Sequence, residues 1–515
     1  MTEGRMDMKI AGLDIGTTGC KCTVFDKTGQ QCARAYKDYP VKRNISGHEI
    51  DVSVIMDAVY EVLGKVAALC PDIAGIGVTS FGETCVLTDE TGTPLHAAML
   101  YTDPRGAEQC RRLEEMLGEG DREKGARKIA GIAGVRPHEM YSLPKAMWLK
   151  ENRPEIFEKA SYLFLMEDYV VFHLTGVRQI DYSLACRAMA LDIEKLTWSR
   201  KLLENAGIRE EMLSVPVPSG TDAGCITAAV AQKTGLSGSV HIVSIGHDQV
   251  AAAVGAGIFD SAVAADGAGT VECITPVFDG LPDMDVMYQG YFAVVPYVVP
   301  GKYAAYAFSY TGGALLQWCV DTLAKLEKQD AIAQGLSVNE SLEKAYRKKR
   351  GEEPSGLLIL PHFAGAATPY MDTGSRGAVL GLTTDTGVPE LYRACMESVV
   401  YEMAVNTKAL GGSGSCFTGL RATGGGARSK EWLQMKADVM NLSVTALACA
   451  DAGTVGSAML TGVAIGFFVN LQEAAQCLIE ERETYYPRPE MHEKYQKELE
   501  RYFRLYQAVR PFFGV

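Results

Sequence analysis

One local pattern occurs twice in this chain of 515 residues, and it constrains the fold more than any other feature. Residues 10–26 read as an apolar strand ending in Asp14, a turn with glycine and threonine, and a second apolar strand. Residues 261–275 repeat this order. Glycine adopts backbone angles that other residues avoid, so successive N–H groups in such a turn can surround an anion. The repeat predicts two related domains, at 1–257 and 258–515, whose turns face each other and hold one triphosphate.

The first turn carries side chains that suit a phosphate. Thr17 and Thr18 supply hydroxyl donors, and Asp14 ends a buried strand, where its carboxylate can hold a hydrated Mg2+. Lys21 can offset phosphate charge, although a plain surface lysine is the alternative. On its own the stretch also fits an ordinary structural hairpin, so other parts of the chain are needed to distinguish the two interpretations.

The composition excludes several classes of function. A net charge of −13 disfavours binding to nucleic acid or to an anionic membrane, because phosphate groups attract clustered Lys and Arg. The 14 cysteines include no CxxC pair, so we expect buried thiols in a reducing cytosol. Residues 1–9 lack the apolar core of a signal peptide. The apolar stretch at residues 238–259 contains His241, His247 and Asp248 and reads as strand, site and helix, not as a membrane span.

Polar residues follow predicted strands in the first half. Gly82 and Glu83 come just after an apolar strand at residues 72–80, where open α/β sheets place ligand groups. Asp103 and Arg105 follow a further apolar run. The charged side chains among them can hydrogen-bond a polyhydroxylated substrate, and a solvated loop is the alternative.

Asp248 is the strongest candidate for proton transfer. It follows a buried strand at residues 240–245 and precedes a small-residue helix at residues 250–257. An aspartate in this position can accept a proton from a substrate hydroxyl. The alternative is a plain helix N-cap, because aspartate is a favoured cap. His247 is interpreted as a packing or orienting residue.

Glycine-rich turns before helices mark the second half. Residues 311–314 open a helix that carries Gln317, and a strand at residues 417–423 runs into the triple glycine at 424–426 and a helix at 429–440. A triple glycine lets a flat ring or a phosphate approach the backbone, and a helix N-terminus favours anions. The sequence has neither the GxGxxG nor the GxxxxGK[ST] pattern, which argues against a Rossmann dehydrogenase.

Together these motifs resemble those of the FGGY family of carbohydrate kinases, which includes xylulokinase, glycerol kinase, gluconokinase and fuculokinase. The resemblance covers about residues 9–470 and rests on the order and spacing of the motifs. The matching segments are GLDIGTTGCK and DGAGT for the two phosphate loops, MYSLPKAMWLKEN and RGAVLGLTTDTGVPELYRACMESVVYE for the two signatures, GHDQ for the catalytic aspartate, and RATGGGARSKEWLQMKADVM for the adenosine motif. Ala146 and Cys395 depart from the signatures at packing positions.

The resemblance implies an α/β fold of two actin-like, ribonuclease H-like domains with a nucleotide and sugar cleft between them. It implies ATP and Mg2+, a cytoplasmic location and a homodimer. By position it makes Asp248 the general base and Asp14 the metal-linked aspartate. The candidates for substrate binding are Gly82, Glu83, Asp103 and Arg105, and those for nucleotide binding are Thr17, Thr18, Gly269, Thr270, Gly313, Gln317, Gly425, Gly426 and Lys430.

The expected function is an ATP-dependent kinase that phosphorylates a hydroxyl of a small ketose, such as xylulose or a related pentulose. Residues 101–105 resemble a Trp-Asn-Asp-x-Arg segment of xylulokinases. Glu83 and Thr84 resemble a pair in glycerol kinases, although Gly82 stands where those carry arginine. A polyol kinase with a glycerol- or erythritol-like acceptor is therefore the first alternative, and an acidic pocket argues against an aldonic acid.

Two further alternatives share the fold. A non-catalytic sugar sensor is disfavoured because Asp14, Asp248 and both threonine-bearing loops are retained. An ATPase like actin or the heat-shock chaperones would share the phosphate hairpins but would not carry the two signatures.

Overall fold

The first mixed β-sheet is built around the first hairpin. The computed structural model describes residues 8–44, 47–449 and 451–513. The strand Lys9–Ile15 pairs antiparallel with Gly19–Phe25 and parallel with Ile73–Ser80, which in turn pairs parallel with His241–His247. The strand order is Thr221–Cys225, His241–His247, Ile73–Ser80, Lys9–Ile15, Gly19–Phe25 and Gln31–Asp38. Because the three parallel strands end at one edge of the sheet, the residues that end or follow them lie close together.

The second sheet repeats this plan around the second hairpin. The strand Val263–Ala268 pairs antiparallel with Glu272–Thr275 and parallel with Gly419–Thr423. The strand order is Val277–Phe278, Tyr303–Ser309, Glu272–Thr275, Val263–Ala268, Gly419–Thr423, Ser443–Leu447 and Glu481–Tyr485, and Ala293–Pro296 pairs with Tyr303–Ser309. Two mixed sheets, each containing one hairpin, confirm the predicted α/β fold with two related halves.

Helices and short strands cover the two sheets. The helices are Val52–Leu69, Ala107–Gly118, Arg122–Ala133, Ser142–Asn152, Pro154–Phe157, Met166–Thr175, Tyr182–Ala185, Arg200–Ala206, Ala228–Thr234, Asp248–Gly255, Met284–Gln289, Gly313–Leu323, Lys325–Ala333, Val338–Arg350, Val388–Leu410, Lys430–Met440, Ala452–Ala464, Leu471–Leu478, Pro489–Tyr502 and Leu505–Val509. The short strands are Lys42–Asn44, Gly47–Ile50, Val86–Thr88, Ala98–Met99, Tyr162–Phe164, Gln179–Asp181, Leu191–Asp192, Thr197–Trp198, Val215–Val217, Leu358–Leu360 and Ala378–Leu380. Within the described ranges, no helix combines the length and the apolar character needed to cross a bilayer.

Two small-residue helices pack closely where the halves meet. The helix Asp248–Gly255 lies against the helix Ala452–Ala464. A Cβ atom on either Gly255 or Gly456 would lie 1.9 Å from a backbone carbonyl oxygen of the partner helix. A Cβ atom on Gly12 would lie 2.1 Å from a carbonyl oxygen of the second helix. Glycine at these positions therefore sets the position of the helix that begins with Asp248.

Gly456→Ala should lower the free energy of unfolding by about 1–3 kcal/mol, because the added methyl group meets backbone and the two helices have to separate. Gly131→Ala is the matched control, since this helical glycine has open space around it and alanine favours a helix by roughly 0.5–1 kcal/mol. Urea unfolding of both variants checks the prediction. Equal stability of the two variants would show that the close approach does not limit the packing.

Candidate active site

A cavity of about 190 Å³ is lined by residues from both sheets. Four of the predicted residues lie in its wall: Thr17, Gly82, Glu83 and Asp248. The remaining lining residues are Phe81, Tyr101, Met140, Arg187, His247, Gln249, Val271, Cys273, Tyr306 and Phe308. Polar groups that converge in a small, mostly apolar cavity are typical of a site for a small molecule.

Asp248 lines this cavity as a half-buried carboxyl group with a raised pKa. It is the first residue of its helix, and its neighbour His247 occupies the cap position, so the alternative of a plain N-cap is wrong. Burial raises the pKa of Asp248 to about 7, and the negative charges of Asp14 and Glu83 act in the same direction. The side chain is 31% exposed, so a ligand in the cavity can reach it.

His247 lies beside Asp248, and its imidazole is uncharged. Its Nε2 atom lies 3.4 Å from Oδ1 of Asp248, and its Nδ1 atom lies 3.2 Å from the Tyr306 hydroxyl. Burial and the nearby Arg187 guanidinium hold the pKa of His247 well below its ordinary value. The imidazole is therefore neutral at physiological pH.

Arg187 is a cavity residue that sequence reasoning missed. Its Nε atom donates to Oε1 of Glu83 at 2.6 Å, and its Nη2 atom contacts the same oxygen. A Cβ atom on Gly82 would lie 3.0 Å from both the Arg187 side chain and the His247 ring. Glycine at position 82 thus leaves space for the stem of the Arg187 side chain.

Asp14 lies at the end of its strand, as predicted, within an ion-paired group. Lys21 Nζ lies 3.0 Å from Asp14 and 2.9 Å from Asp451, so it joins the first hairpin to the start of the helix Ala452–Ala464. Burial raises the pKa of the Asp14 carboxyl, and Lys21 opposes that shift. Lys21 therefore has a fixed place in this group and is not a loose surface residue.

A larger cavity of about 670 Å³ contains six of the predicted nucleotide residues, namely Gly269, Thr270, Gly313, Gln317, Gly425 and Gly426. The remaining lining residues are Ala268, Ala314, Leu316, Asn339, Glu343, Tyr392, Met396, Ser429 and Trp432. Asn339 and Glu343 lie on the helix Val338–Arg350, which belongs to none of the motifs, so the sequence did not indicate them. The volume and the aromatic and apolar lining suit a nucleotide base and ribose.

Backbone contacts hold the two glycine loops of this cavity together. The N–H groups of Gly313 and Ala314 donate to the carbonyl oxygens of Gly269 and Thr270, at 2.9 and 3.1 Å. This helix N-terminus therefore positions the second hairpin and does not point free N–H groups at an anion. In the triple glycine, an added Cβ atom on Gly425 would meet open space, so this is where a ligand can approach the backbone.

The buried Lys436 anchors the second hairpin and was also missed. Its Nζ atom donates to Asp266 at 2.5 Å and contacts Glu272, one residue on each strand of the hairpin. Burial and the neighbouring Asp266 raise the pKa of Glu272 to about 8. All three side chains are buried, so this group is structural and lies outside the reach of a ligand.

Five predicted residues, Asp14 among them, are not brought into the lining of either cavity, as far as the described residues form it. Asp103 is buried and takes hydrogen bonds from Arg105 and from the His48 N–H, so its oxygens are already engaged. Arg105 also pairs with Glu49. Thr18 is exposed, and Lys430 pairs with Glu483 on the surface. Tyr101, just before Asp103, lines the smaller cavity instead.

Comparison with known proteins agrees with this arrangement. The profile of the FGGY family of carbohydrate kinases matches residues 9–255 with its N-terminal domain and residues 281–465 with its C-terminal domain. The chain is 28% identical over 506 residues to a xylulose kinase of Bacillus subtilis (strain 168), with 97% of each chain covered. It is 28% identical over 481 residues to a glycerol kinase of Agathobacter rectalis, with 90% of this chain and 91% of that one covered.

A crystal structure of gluconate kinase from Lactobacillus acidophilus has the same fold, with a TM-score of 0.86 at 23% identity over 98% of this chain and 99% of that one. The names of these three proteins refer to different acceptors, so the likeness does not choose among them. It does establish the reaction class, because both family profiles and both relatives are carbohydrate kinases. The chain is a phosphotransferase, and it belongs to the FGGY family of carbohydrate kinases.

Proposed function

We propose that this protein uses ATP to phosphorylate a hydroxyl of a small ketose, such as xylulose or a related pentulose. The observation that carries the proposal is Asp248, a half-buried carboxyl with a pKa of about 7 in a cavity of about 190 Å³. Such a volume suits a small acceptor and is below the usual range for drug-sized ligands. A polyol kinase is the second candidate, because the xylulose kinase and glycerol kinase relatives are equally identical to this chain.

In this reaction Asp248 takes the proton of the acceptor hydroxyl as its oxygen attacks the γ-phosphorus. The new O–P bond forms while the bond between the γ-phosphorus and the β–γ bridging oxygen breaks, and ADP leaves with the electron pair. Thr17, which lines the same cavity as Asp248, would donate a hydrogen bond to the transferring phosphoryl group. Gly269, Thr270, Gly425 and Gly426 would hold the nucleotide in the larger cavity.

A divalent metal fits Asp14 as a ligand. The described residues contain no group of three or more His, Cys, Asp or Glu side chains arranged for a metal. Mg2+ is often held by one or two carboxylates together with substrate phosphates, so the single buried Asp14 carboxylate is a compatible donor. When bound there, Mg2+ would neutralise phosphate charge.

The remaining assignments are part of the same proposal. Residues 1–257 would form the domain with the first phosphate hairpin and the acceptor site, and residues 258–515 the domain that binds most of the nucleotide. Four ligand contacts stay predictions, namely Thr18, Asp103, Arg105 and Lys430. Thr18 is exposed, and the other three side chains form ion pairs within the protein. A homodimer and a cytoplasmic location also stay predictions.

The test is ADP release with Mg-ATP across ketopentoses, ketohexoses, polyols and aldonic acids. A ketopentose that raises ADP release well above basal hydrolysis supports the proposal. A polyol as the best acceptor would replace it with the second candidate. Nucleotide binding without transfer to any acceptor of the panel would overturn it in favour of a non-catalytic sensor.

The activity should depend on pH through Asp248. A general base works as the carboxylate, so kcat/KM should fall about tenfold per pH unit below about pH 7, where Asp248 takes up a proton. Above about pH 7 the rate should be level as far as this group is concerned. The melting temperature over the same range serves as the control. A rate that stays constant down to about pH 5 in folded protein would contradict the raised pKa of Asp248.

A further inference from the structure

The Arg187 guanidinium has a donor group that no other described residue uses. The side chain is 7% exposed and its charge is balanced by Glu83. Tyr141 and Tyr306 flank the guanidinium, with ring centres 5.1 and 5.6 Å from its Cζ atom. The Nε and Nη2 atoms contact Glu83, whereas Nη1 is buried without a hydrogen-bond partner in the described part of the chain. A buried, unsatisfied donor is costly, so it is expected to have a partner in the working enzyme.

The position of this donor points to the acceptor site. Among the buried polar atoms of the described residues that lack a partner, Nη1 of Arg187 alone belongs to a residue in the wall of the Asp248 cavity. Gly82 leaves the space for the arginine stem, and the two tyrosines fix the plane of the guanidinium. The donor thus belongs to a residue that lines the same cavity as Asp248.

We propose that Arg187 is a specificity-determining residue whose Nη1 group donates a hydrogen bond to the carbonyl oxygen of a ketose acceptor. This inference rests on the proposed function and extends it by naming the group that separates ketoses from polyols. A guanidinium can only donate, and a carbonyl oxygen can only accept. A hydroxyl at the same place would also accept, but its own proton would then need a second partner.

The charged side chains in the cavity favour an acceptor that has no net charge. Glu83 neutralises Arg187, so the guanidinium does not leave a net positive charge for a carboxylate ligand. The carboxyl of Asp248 then remains as the charged group that faces the ligand, and it would repel an aldonic acid. The pair therefore supplies a directed donor without attracting anions.

The test compares a ketose with the polyol made by reducing its carbonyl group, in the wild-type protein and in Arg187→Lys. Lysine keeps a positive charge near Glu83 but loses the planar fork of donors. The KM for the ketose should rise about tenfold to a hundredfold, as expected for a lost hydrogen bond from a charged donor, and the KM for the polyol should change by less than about threefold. The kcat for the ketose should change little, because the lost contact holds the ground state and the transition state alike.

Arg178→Lys is the matched control. Arg178 also lies over a tyrosine ring and donates to backbone carbonyl oxygens, but it does not line the cavity. This variant should keep both KM values. If Arg187→Lys does not fold, Arg187→Gln, whose amide can still donate to Glu83, should show the same selective loss for the ketose.

Calorimetric titration of the two sugars, with a non-hydrolysable ATP analogue present, separates the possible failures. Ketose binding without transfer, weakened in Arg187→Lys, would leave the Arg187 assignment intact while the proposed function fails. Transfer to the ketose with an unchanged KM in a stable Arg187 variant would overturn the assignment alone. An equal loss of affinity for ketose and polyol would also overturn the assignment, because the contact would then not depend on the carbonyl group. Binding of neither sugar by wild-type protein would overturn both.

Discussion

Asp248→Asn should transfer phosphate about 10²–10⁴-fold more slowly than the wild-type protein and bind the nucleotide equally well. The amide has the shape of the carboxyl group but cannot accept a proton at neutral pH. The acceptor hydroxyl would then attack without a base. Nucleotide affinity should be kept, because Asp248 lines the smaller cavity and no lining residue of the larger one is changed.

Single-turnover transfer and titration with ADP together check this expectation. Asp283→Asn is the matched control, since Asp283 caps the helix Met284–Gln289 with its side chain and lies in neither of the two cavities. Asparagine caps almost as well as aspartate, so this variant should behave as wild type. A transfer rate in Asp248→Asn within about threefold of wild type would remove Asp248 from the base role. Loss of ADP binding in the same variant would show that the substitution disturbs more than proton transfer.

The parts of the site that could be predicted are those made by one short stretch of chain. The first hairpin and the triple glycine have a local signature in the sequence. Glycine is required in the second of them because Gly424 has a φ of 86° and an added Cβ atom there would lie 2.7 Å from the carbonyl oxygen of Ala268. The two sheets follow from the same repeat, since each hairpin supplies two neighbouring strands. Asp248 was found for the same reason, by its place between a strand and a helix.

Arg187 and Lys436 could not be predicted because their partners are distant in the sequence. Arg187 lies 104 residues from Glu83, and Lys436 lies 170 residues from Asp266. Only the packing of the finished fold brings these charges together. Asp103 and Arg105 show the reverse, because the sequence predicts a ligand site at these two charges and in the structure they form a bidentate ion pair with each other. Charge near a strand end therefore indicates a polar cluster, and the tertiary structure decides which member faces the ligand.

Lys436→Met should be among the most destabilising substitutions outside the two cavities. Removing one partner from a buried ion pair leaves an uncompensated charge and typically costs about 3–5 kcal/mol. Lys436 has two buried acidic partners, Asp266 and Glu272, and one oxygen of each already lacks a hydrogen-bond partner among the described residues. Nucleotide affinity should fall as well, because these two residues lie on the strands that carry Gly269 and its turn.

Lys430→Met is the matched control on the same helix. Lys430 is exposed and its ion pair with Glu483 is exposed too, so its loss should cost about 0–1 kcal/mol. Urea unfolding of both variants tests the contrast in stability, and ADP titration of Lys436→Met tests the expected fall in nucleotide affinity. Similar stability of the two variants would show that the buried cluster does not anchor the second hairpin.

The pH dependence of the Lys436→Met deficit separates electrostatics from lost packing. In the folded protein burial and Asp266 raise the pKa of Glu272 to about 8, above its value of about 4.3 in the unfolded chain. A carboxyl with a raised pKa favours folding when it is protonated, and this contribution is lost as the pH rises through the folded pKa. Without Lys436 the ionised Glu272 has lost its cationic partner. The deficit in the free energy of unfolding should therefore be largest above about pH 8 and should shrink towards about pH 5. A deficit that is constant between these pH values would show that the titration of Glu272 plays no part in it.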